Sequence, residues 1–104
     1  MLTDSIEIID NRFNQLVLSN VHLETLHTGC RWSEGPVYVP AGRYLLWSDI
    51  PNDRVMRWDE TDGSVSVFQS PAWHANGHTL DRQGRVISCE HRGRCVSRTE
   101  HDGR

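Results

Sequence analysis

Glu34 and Asn76 are the residues whose types and positions in the sequence most suggest chemistry. Glu34 precedes Gly35 in the stretch SEGPVY, and Asn76 precedes Gly77 in ANGHTL. A carboxylate and an amide both offer oxygen atoms, which are the ligands that hard cations such as calcium and magnesium prefer. Each residue also has a purely structural interpretation, because a glutamate before Gly-Pro commonly serves a turn and Asn-Gly is a frequent turn dipeptide. The choice depends on whether the fold brings the two residues together.

An internal repeat places Glu34 and Asn76 at the same point of two successive units. The turn residues of the two copies are 40 to 42 residues apart: Gly35 with Gly77, Gly42-Arg43 with Gly84-Arg85, and Asp62-Gly63 with Asp102-Gly103. A period of roughly 40 residues indicates a structural repeat rather than two unrelated segments.

Short bursts of β-favouring residues, each closed by turn residues, fill both copies. The expected strands are Val37 to Val39, Tyr44 to Trp47, Val55 to Trp58, Val65 to Phe68, His78 to Leu80, Val86 to Cys89 and Cys95 to Thr99. Four short strands in each unit of this length are typical of a β-propeller blade. A small β-sandwich with coinciding turns is the structural alternative. The sequence therefore predicts an all-β fold.

The predicted organisation has three parts: an N-terminal segment at 1–29, a first blade at 30–70 and a second, incomplete blade at 71–104. Residues 21–26 are expected to form a strand that pairs with the last blade of a closed ring. Because two blades do not close a ring, the chain is expected to be the N-terminal part of a larger propeller.

Composition and charge exclude several classes of function. The 104 residues include 11 basic and 14 acidic ones, with no run of a single sign, so neither a nucleic-acid nor a membrane partner is expected. No basic leader with an apolar core is present, which favours a cytoplasmic protein. Cys30, Cys89 and Cys95 lack the spacing of a zinc site or a disulfide scaffold.

Two other groups of residues look like metal sites but do not fit one. His74 and His78 are four residues apart, which in a strand separates them by about 13 Å. The neighbours Cys89, Glu90 and His91 would alternate between opposite faces of a strand. We therefore expect neither group to hold an ion.

Three stretches together, TGCRWSEGPVY, GRYLLWSDIPNDRVMRW and ANGHTLDRQGRVISCEH, resemble the bacterial branch of the SMP-30/gluconolactonase family. The resemblance runs from about Leu23 to Gly103. It implies a six-bladed β-propeller that hydrolyses sugar lactones with a divalent metal on its central axis. The sequence departs from the family pattern at Arg92 and Cys95, where a glycine and an arginine or a similar residue are expected. We place both residues in an outer turn.

The resemblance also implies roles for individual residues. Glu34 matches the glutamate that ligates the metal, Asn76 lies beside the central pocket as a substrate-binding residue, and His78 is a second candidate for substrate contact. His78 can equally be an ordinary strand residue. No catalytic residue beyond the metal ligand is assigned, because the other ligands of the family lie on later blades.

The predicted function is metal-dependent hydrolysis of a small-molecule sugar lactone. A divalent cation would draw electron density from the lactone carbonyl and stabilise the charge that develops when water attacks. Calcium is the expected ion, with magnesium, manganese or zinc as alternatives, and the chain is expected to be inactive alone. The alternative is a non-catalytic β-propeller that serves as a binding scaffold. Trp58-Asp59 and Gly77-His78 weakly resemble WD-repeat signatures, but in the wrong order within a copy.

Overall fold

The computed structural model describes residues 6–104 and consists mainly of β-strands. A short 3-10 helix, Asn11–Gln15, precedes them. The strands are β1 Ser33–Val39, β2 Tyr44–Asp49, β3 Arg54–Asp59, β4 Val65–Gln69, β5 Ala75–Leu80, β6 Val86–Glu90 and β7 Cys95–Thr99. Every strand expected from the sequence within the two copies is present, and several begin earlier than expected.

The strands form two antiparallel meanders, one in each copy of the repeat. The first sheet has the order β1-β2-β3-β4, and the second has the order β5-β6-β7. Turn residues end each strand because they adopt backbone angles that interrupt a strand; Arg43 and Asp53, for example, have φ values of 55° and 51°. The boundaries predicted at 30–70 and 71–104 remain predictions, although each sheet lies within one of these ranges.

An apolar core joins the two sheets, with β5 lying against β1 and β2. Side chains alternate between the faces of a strand, so Leu46 and Ser48 of β2 point towards the second sheet. Both are fully buried. The core consists of Val39, Leu46, Val55, Ala72, Ala75 and Val86. The sheets are therefore held face to face mainly by burial of apolar surface.

The opposite face of the first sheet is partly covered by the N-terminal segment. The ring of His27 lies 6.0 Å from that of Trp47, which is only 8% exposed. Residues 21–30 have no regular secondary structure, and the strand expected at 21–26 remains a prediction because the last blade, its expected partner, is not among the described residues. A strand needs a hydrogen-bonded neighbour to be stable, and the segment lies against a face of the sheet instead.

No helix in residues 6–104 has the length and apolar character needed to cross a membrane.

Candidate functional site

Gly35 brings the start of β1 into contact with the start of β5. Its φ of +64° lies in the left-handed region, which disfavours side chains. A Cβ atom built on Gly35 would stand 1.7 Å from the backbone oxygen of Asn76 and 2.9 Å from the Cα atom of Gly77. The two backbones therefore touch, and only glycine fits at this point. The equivalent positions of the two repeats are adjacent in space.

The Glu34 side chain lies at the edge of an open cavity. Glu34 is exposed and pairs in register with Ser48 of β2. The cavity has a volume of about 320 Å³, and residues 25–27 of the N-terminal segment form part of its wall together with Pro36 and Trp47. None of the salt bridges within residues 6–104 involves the Glu34 carboxylate. The carboxylate is thus accessible from solvent.

The Asn76 side chain is half-buried and partly engaged by its own strand. Its Oδ1 atom accepts a hydrogen bond of 2.7 Å from the backbone N–H of Gly77. An amide group has one oxygen acceptor and two N–H donors. The oxygen is therefore in local use, and the donors of the Asn76 amide remain to bind a ligand.

The carboxylate oxygens of Glu34 suit a divalent cation, but they provide only part of the set of ligands that such an ion needs. The described residues contain no group of three or more His, Cys, Asp or Glu side chains that could hold a metal ion. Calcium takes six to eight oxygen ligands, and some of these can be water. Glu34 can supply one or two of these oxygens, so further ligands would have to come from elsewhere.

Asp49, at the end of β2, holds the loop that leads into β1. The side chain of Asp49 is fully buried. One carboxylate oxygen accepts hydrogen bonds from the backbone N–H groups of Arg31 at 3.0 Å and Trp32 at 3.2 Å. The other accepts from Asn52 at 2.8 Å and from Arg54 at 3.0 Å. This carboxylate therefore fixes the direction in which β1 starts.

Acid is expected to destabilise the protein through Asp49. Burial alone would raise the pKa of Asp49, but hydrogen bonds from Asn52, Trp32, Arg54 and Arg31 outweigh it and lower the pKa to about 2. The folded pKa is below the ordinary value, so ionised Asp49 stabilises the fold by about 2 kcal/mol near neutral pH, a contribution that is lost as the pH falls from about 5 to about 2. In urea denaturation across this range, the free energy of unfolding should fall less steeply with decreasing pH for Asp49→Asn than for the wild type.

A matched control for this measurement is Asp62→Asn, because Asp62 is an exposed turn residue that accepts one hydrogen bond, from the backbone of Ser64. This variant should keep the acid slope of the wild type. An unchanged slope in Asp49→Asn would contradict the assignment.

A second aspartate, Asp53, holds the loop that leads into β5. Its Oδ1 atom accepts hydrogen bonds from the backbone N–H groups of His74 at 2.7 Å and Ala72 at 3.2 Å. The loops that lead into β1 and β5 are thus each held by hydrogen bonds to an aspartate of the first repeat, Asp49 for β1 and Asp53 for β5. Sequence reasoning missed both roles, because Asp49 and Asp53 flank a Pro-Asn turn and are explained there as turn residues.

The ring of His78 connects the two sheets. Its Nε2 atom lies 2.7 Å from Ser48 Oγ, and its Nδ1 atom lies 2.8 Å from Ser88 Oγ. Burial lowers the pKa of His78, which favours the neutral ring. Sequence reasoning did not single out either serine, since a serine within a strand has no distinctive pattern. The predicted contact of His78 with substrate remains a prediction.

The turn that contains Arg92 lies nearer to this site than the sequence analysis placed it. The backbone N–H of Arg92 donates to the carbonyl of Trp73 at 3.0 Å, and that of His91 donates to the carbonyl of His74 at 3.3 Å. Both carbonyls belong to the loop before β5. The departure from the family pattern at Arg92 is therefore next to the start of the second sheet.

Comparison with known proteins identifies the family. The family model described as "SMP-30/Gluconolactonase/LRE-like region" matches residues 32–104, which is more than half of the chain. The chain belongs to the SMP-30/gluconolactonase/LRE-like family. The resemblance seen in the sequence is thus confirmed.

Two curated proteins show sequence similarity to the chain. The gluconolactonase of Zymomonas mobilis is 36% identical over 64 residues, which is 62% of this chain and 18% of that protein. The pentonolactonase XacC of Haloferax volcanii is 36% identical over 67 residues, which is 64% of this chain and 23% of that protein. The chain spans about a fifth of the length of these relatives.

A solved structure shows the same fold over part of its length. The gluconolactonase XC5397 of Xanthomonas campestris superposes with a TM-score of 0.72 and 41% identity, covering 77% of this chain and 27% of that one. The expectation of an all-β fold that contains about two blades of a propeller is confirmed.

Proposed function

We propose that the protein containing this chain hydrolyses sugar lactones with the help of a divalent cation. The observation that carries the proposal is the contact between Gly35 and the backbone of Asn76, which brings together the starts of the two sheets. The names of the two curated relatives, gluconolactonase and pentonolactonase, support a sugar lactone as the substrate class.

Glu34 has the role of one metal ligand in this proposal. Its carboxylate is exposed at the start of β1, next to Gly35, and provides negative charge. Calcium is the ion we propose, and magnesium, manganese and zinc are the alternatives, because oxygen ligands admit several hard cations. Once bound, such an ion polarises a lactone carbonyl and stabilises the negative charge that develops on its oxygen.

Asn76 has the role of a substrate-binding residue. Since its Oδ1 atom accepts a hydrogen bond from Gly77, its Nδ2 atom is the group left to bind a ligand. Nδ2 donates hydrogen bonds, so it suits a sugar hydroxyl or ring oxygen rather than a cation. Asn76 would therefore orient the substrate beside Glu34.

Removal of divalent metal from the full-length protein tests this function. Treatment with EDTA should lower the rate of gluconolactone or pentonolactone hydrolysis by roughly 100-fold, because the charge on the carbonyl oxygen is then no longer stabilised. Addition of calcium should restore the rate. The rate can be followed by titration of the acid released, after subtraction of uncatalysed hydrolysis.

The 104-residue chain is the matched control for this experiment. We expect no lactone hydrolysis above background at saturating metal, since its described residues provide only part of a ligand set. Turnover by this chain alone would contradict that part of the proposal. If the full-length protein hydrolysed no lactone with any of the four ions, the catalytic function would be wrong and a binding scaffold would be favoured.

A further inference from the structure

The His78 side chain is hydrogen-bonded to the first sheet close to the candidate site, and to a neighbouring strand of its own sheet. One ring nitrogen lies 2.7 Å from Ser48 Oγ in the first sheet, and the other lies 2.8 Å from Ser88 Oγ in the second. Ser48 pairs in register with Glu34, and His78 is two residues beyond Asn76 on β5. The hydrogen bond between His78 and Ser48 therefore connects β5, which carries Asn76, to the residue of β2 that pairs with Glu34.

A serine and a histidine in hydrogen-bond contact can also form a nucleophile and its base. That role does not fit here, because Ser48 is fully buried and Ser88 is 9% exposed. A substrate carbonyl cannot approach a hydroxyl oxygen that is closed to solvent. The contacts of His78 are thus better explained by structure than by nucleophilic chemistry.

Apart from this contact, the hydrogen bonds of Asp53 to the loop before β5 and the backbone contact at Gly35, the interface between the sheets is apolar. Its core is aliphatic, apart from the aromatic rings of Tyr44 and Phe68 at its border. Apolar contacts are non-directional, so they favour face-to-face packing without selecting one lateral position. Hydrogen bonds depend on both distance and angle. The hydrogen bond between His78 and Ser48 can therefore help to select the position at which Asn76 meets Gly35, while the hydrogen bond to Ser88 within the second sheet orients the ring.

We infer that His78 is a positioning residue, which sets the placement of Asn76 beside Glu34 by bridging Ser48 and Ser88. The expected kinetic effects of His78 variants rest on the proposed lactonase function. The hydrogen bonds of His78 to Ser48 and Ser88 do not depend on that function. His78 acts through its neighbours and has no contact with the reacting atoms.

Kinetics of four variants of the full-length protein test this inference. His78→Leu should lower kcat for lactone hydrolysis about tenfold and leave KM within about twofold. Displacement of Asn76 is expected to reduce stabilisation of the transition state more than it reduces binding of the substrate. Ser48→Ala and Ser88→Ala should each reproduce part of this loss. The double variant Ser48→Ala/His78→Leu should be no slower than His78→Leu, because both changes break the same bridge.

Thr79→Val provides the matched control on the same strand. Thr79 is exposed and follows His78 directly, so its side chain points to the other face of β5. This variant should keep the wild-type kcat and KM. A raised KM with unchanged kcat in His78→Leu, together with wild-type kinetics in both serine variants, would show substrate contact and overturn the inference.

Urea unfolding of the same variants separates this inference from the proposed function. The losses in urea midpoint caused by Ser48→Ala and His78→Leu should be markedly smaller in combination than their sum. Additive losses would overturn the bridge whether or not the protein hydrolyses a lactone. Coupled losses in a protein without lactonase activity would sustain the bridge and refute the function.

Discussion

Replacement of Gly35 by alanine is expected to destabilise the protein by roughly 2 to 5 kcal/mol, which combines the cost of left-handed backbone with that of overpacking. The added methyl group would lie 1.7 Å from the backbone oxygen of Asn76, and a backbone atom cannot rotate away as a side chain can. The starts of β1 and β5 would have to separate. Urea denaturation, followed by tryptophan fluorescence, measures the loss of stability.

Two other glycines serve as controls that separate the two causes. Gly63 has a φ of +75° but no atom within 4 Å of an added Cβ, so Gly63→Ala should show only the backbone cost of about 1 to 2 kcal/mol. Gly77 has open space and no left-handed φ, so Gly77→Ala should change stability by less than about 1 kcal/mol. If Gly35→Ala cost no more than Gly63→Ala, the close contact between the strand starts would not exist in solution.

The two sheets could be predicted from the sequence because their signals are local. Turn residues such as Gly42 and Gly84 occupy equivalent positions in the two repeats, and short segments of β-favouring residues lie between the turns. A meander pairs each strand with the next, so the order of strands within each sheet follows from the order in the chain. The Gly35 position was also visible as a matched glycine, although its contact with Asn76 required coordinates.

The polar contacts that position the site could not be predicted from a single sequence. Ser48 and His78 are 30 residues apart, and their contact depends on how one sheet lies on the other. Asp49 binds backbone N–H groups 17 and 18 residues away, which no local pattern indicates. The strand expected at 21–26 remains a prediction, since strand formation depends on a partner and not only on residue type, and the last blade of the ring is not among the described residues.

Glu34→Gln is expected to remove most of the activity, because we propose that the Glu34 carboxylate ligates the cation. The change keeps the shape of the side chain and removes one negative charge, so it weakens attraction for a divalent cation. We expect kcat/KM of the full-length protein for a sugar lactone to fall by roughly 100-fold or more, as for loss of other groups that stabilise transition-state charge. The calcium concentration for half-maximal rate should rise.

Glu24→Gln is the control with the same change of charge. Glu24 is exposed in the segment before β1, outside both sheets, so its replacement should leave the rate and the calcium dependence at wild-type values. Equal urea midpoints for the Glu34→Gln variant and the wild type would show that any loss of rate is not a loss of fold.

The direct measurement of the central claim is therefore the initial rate of metal-dependent lactone hydrolysis by full-length wild type and Glu34→Gln, over a range of calcium concentrations. The account predicts a rate that falls by roughly 100-fold in the variant, with an intact fold. A variant that hydrolyses lactone as fast as the wild type, with the same calcium dependence, would contradict it.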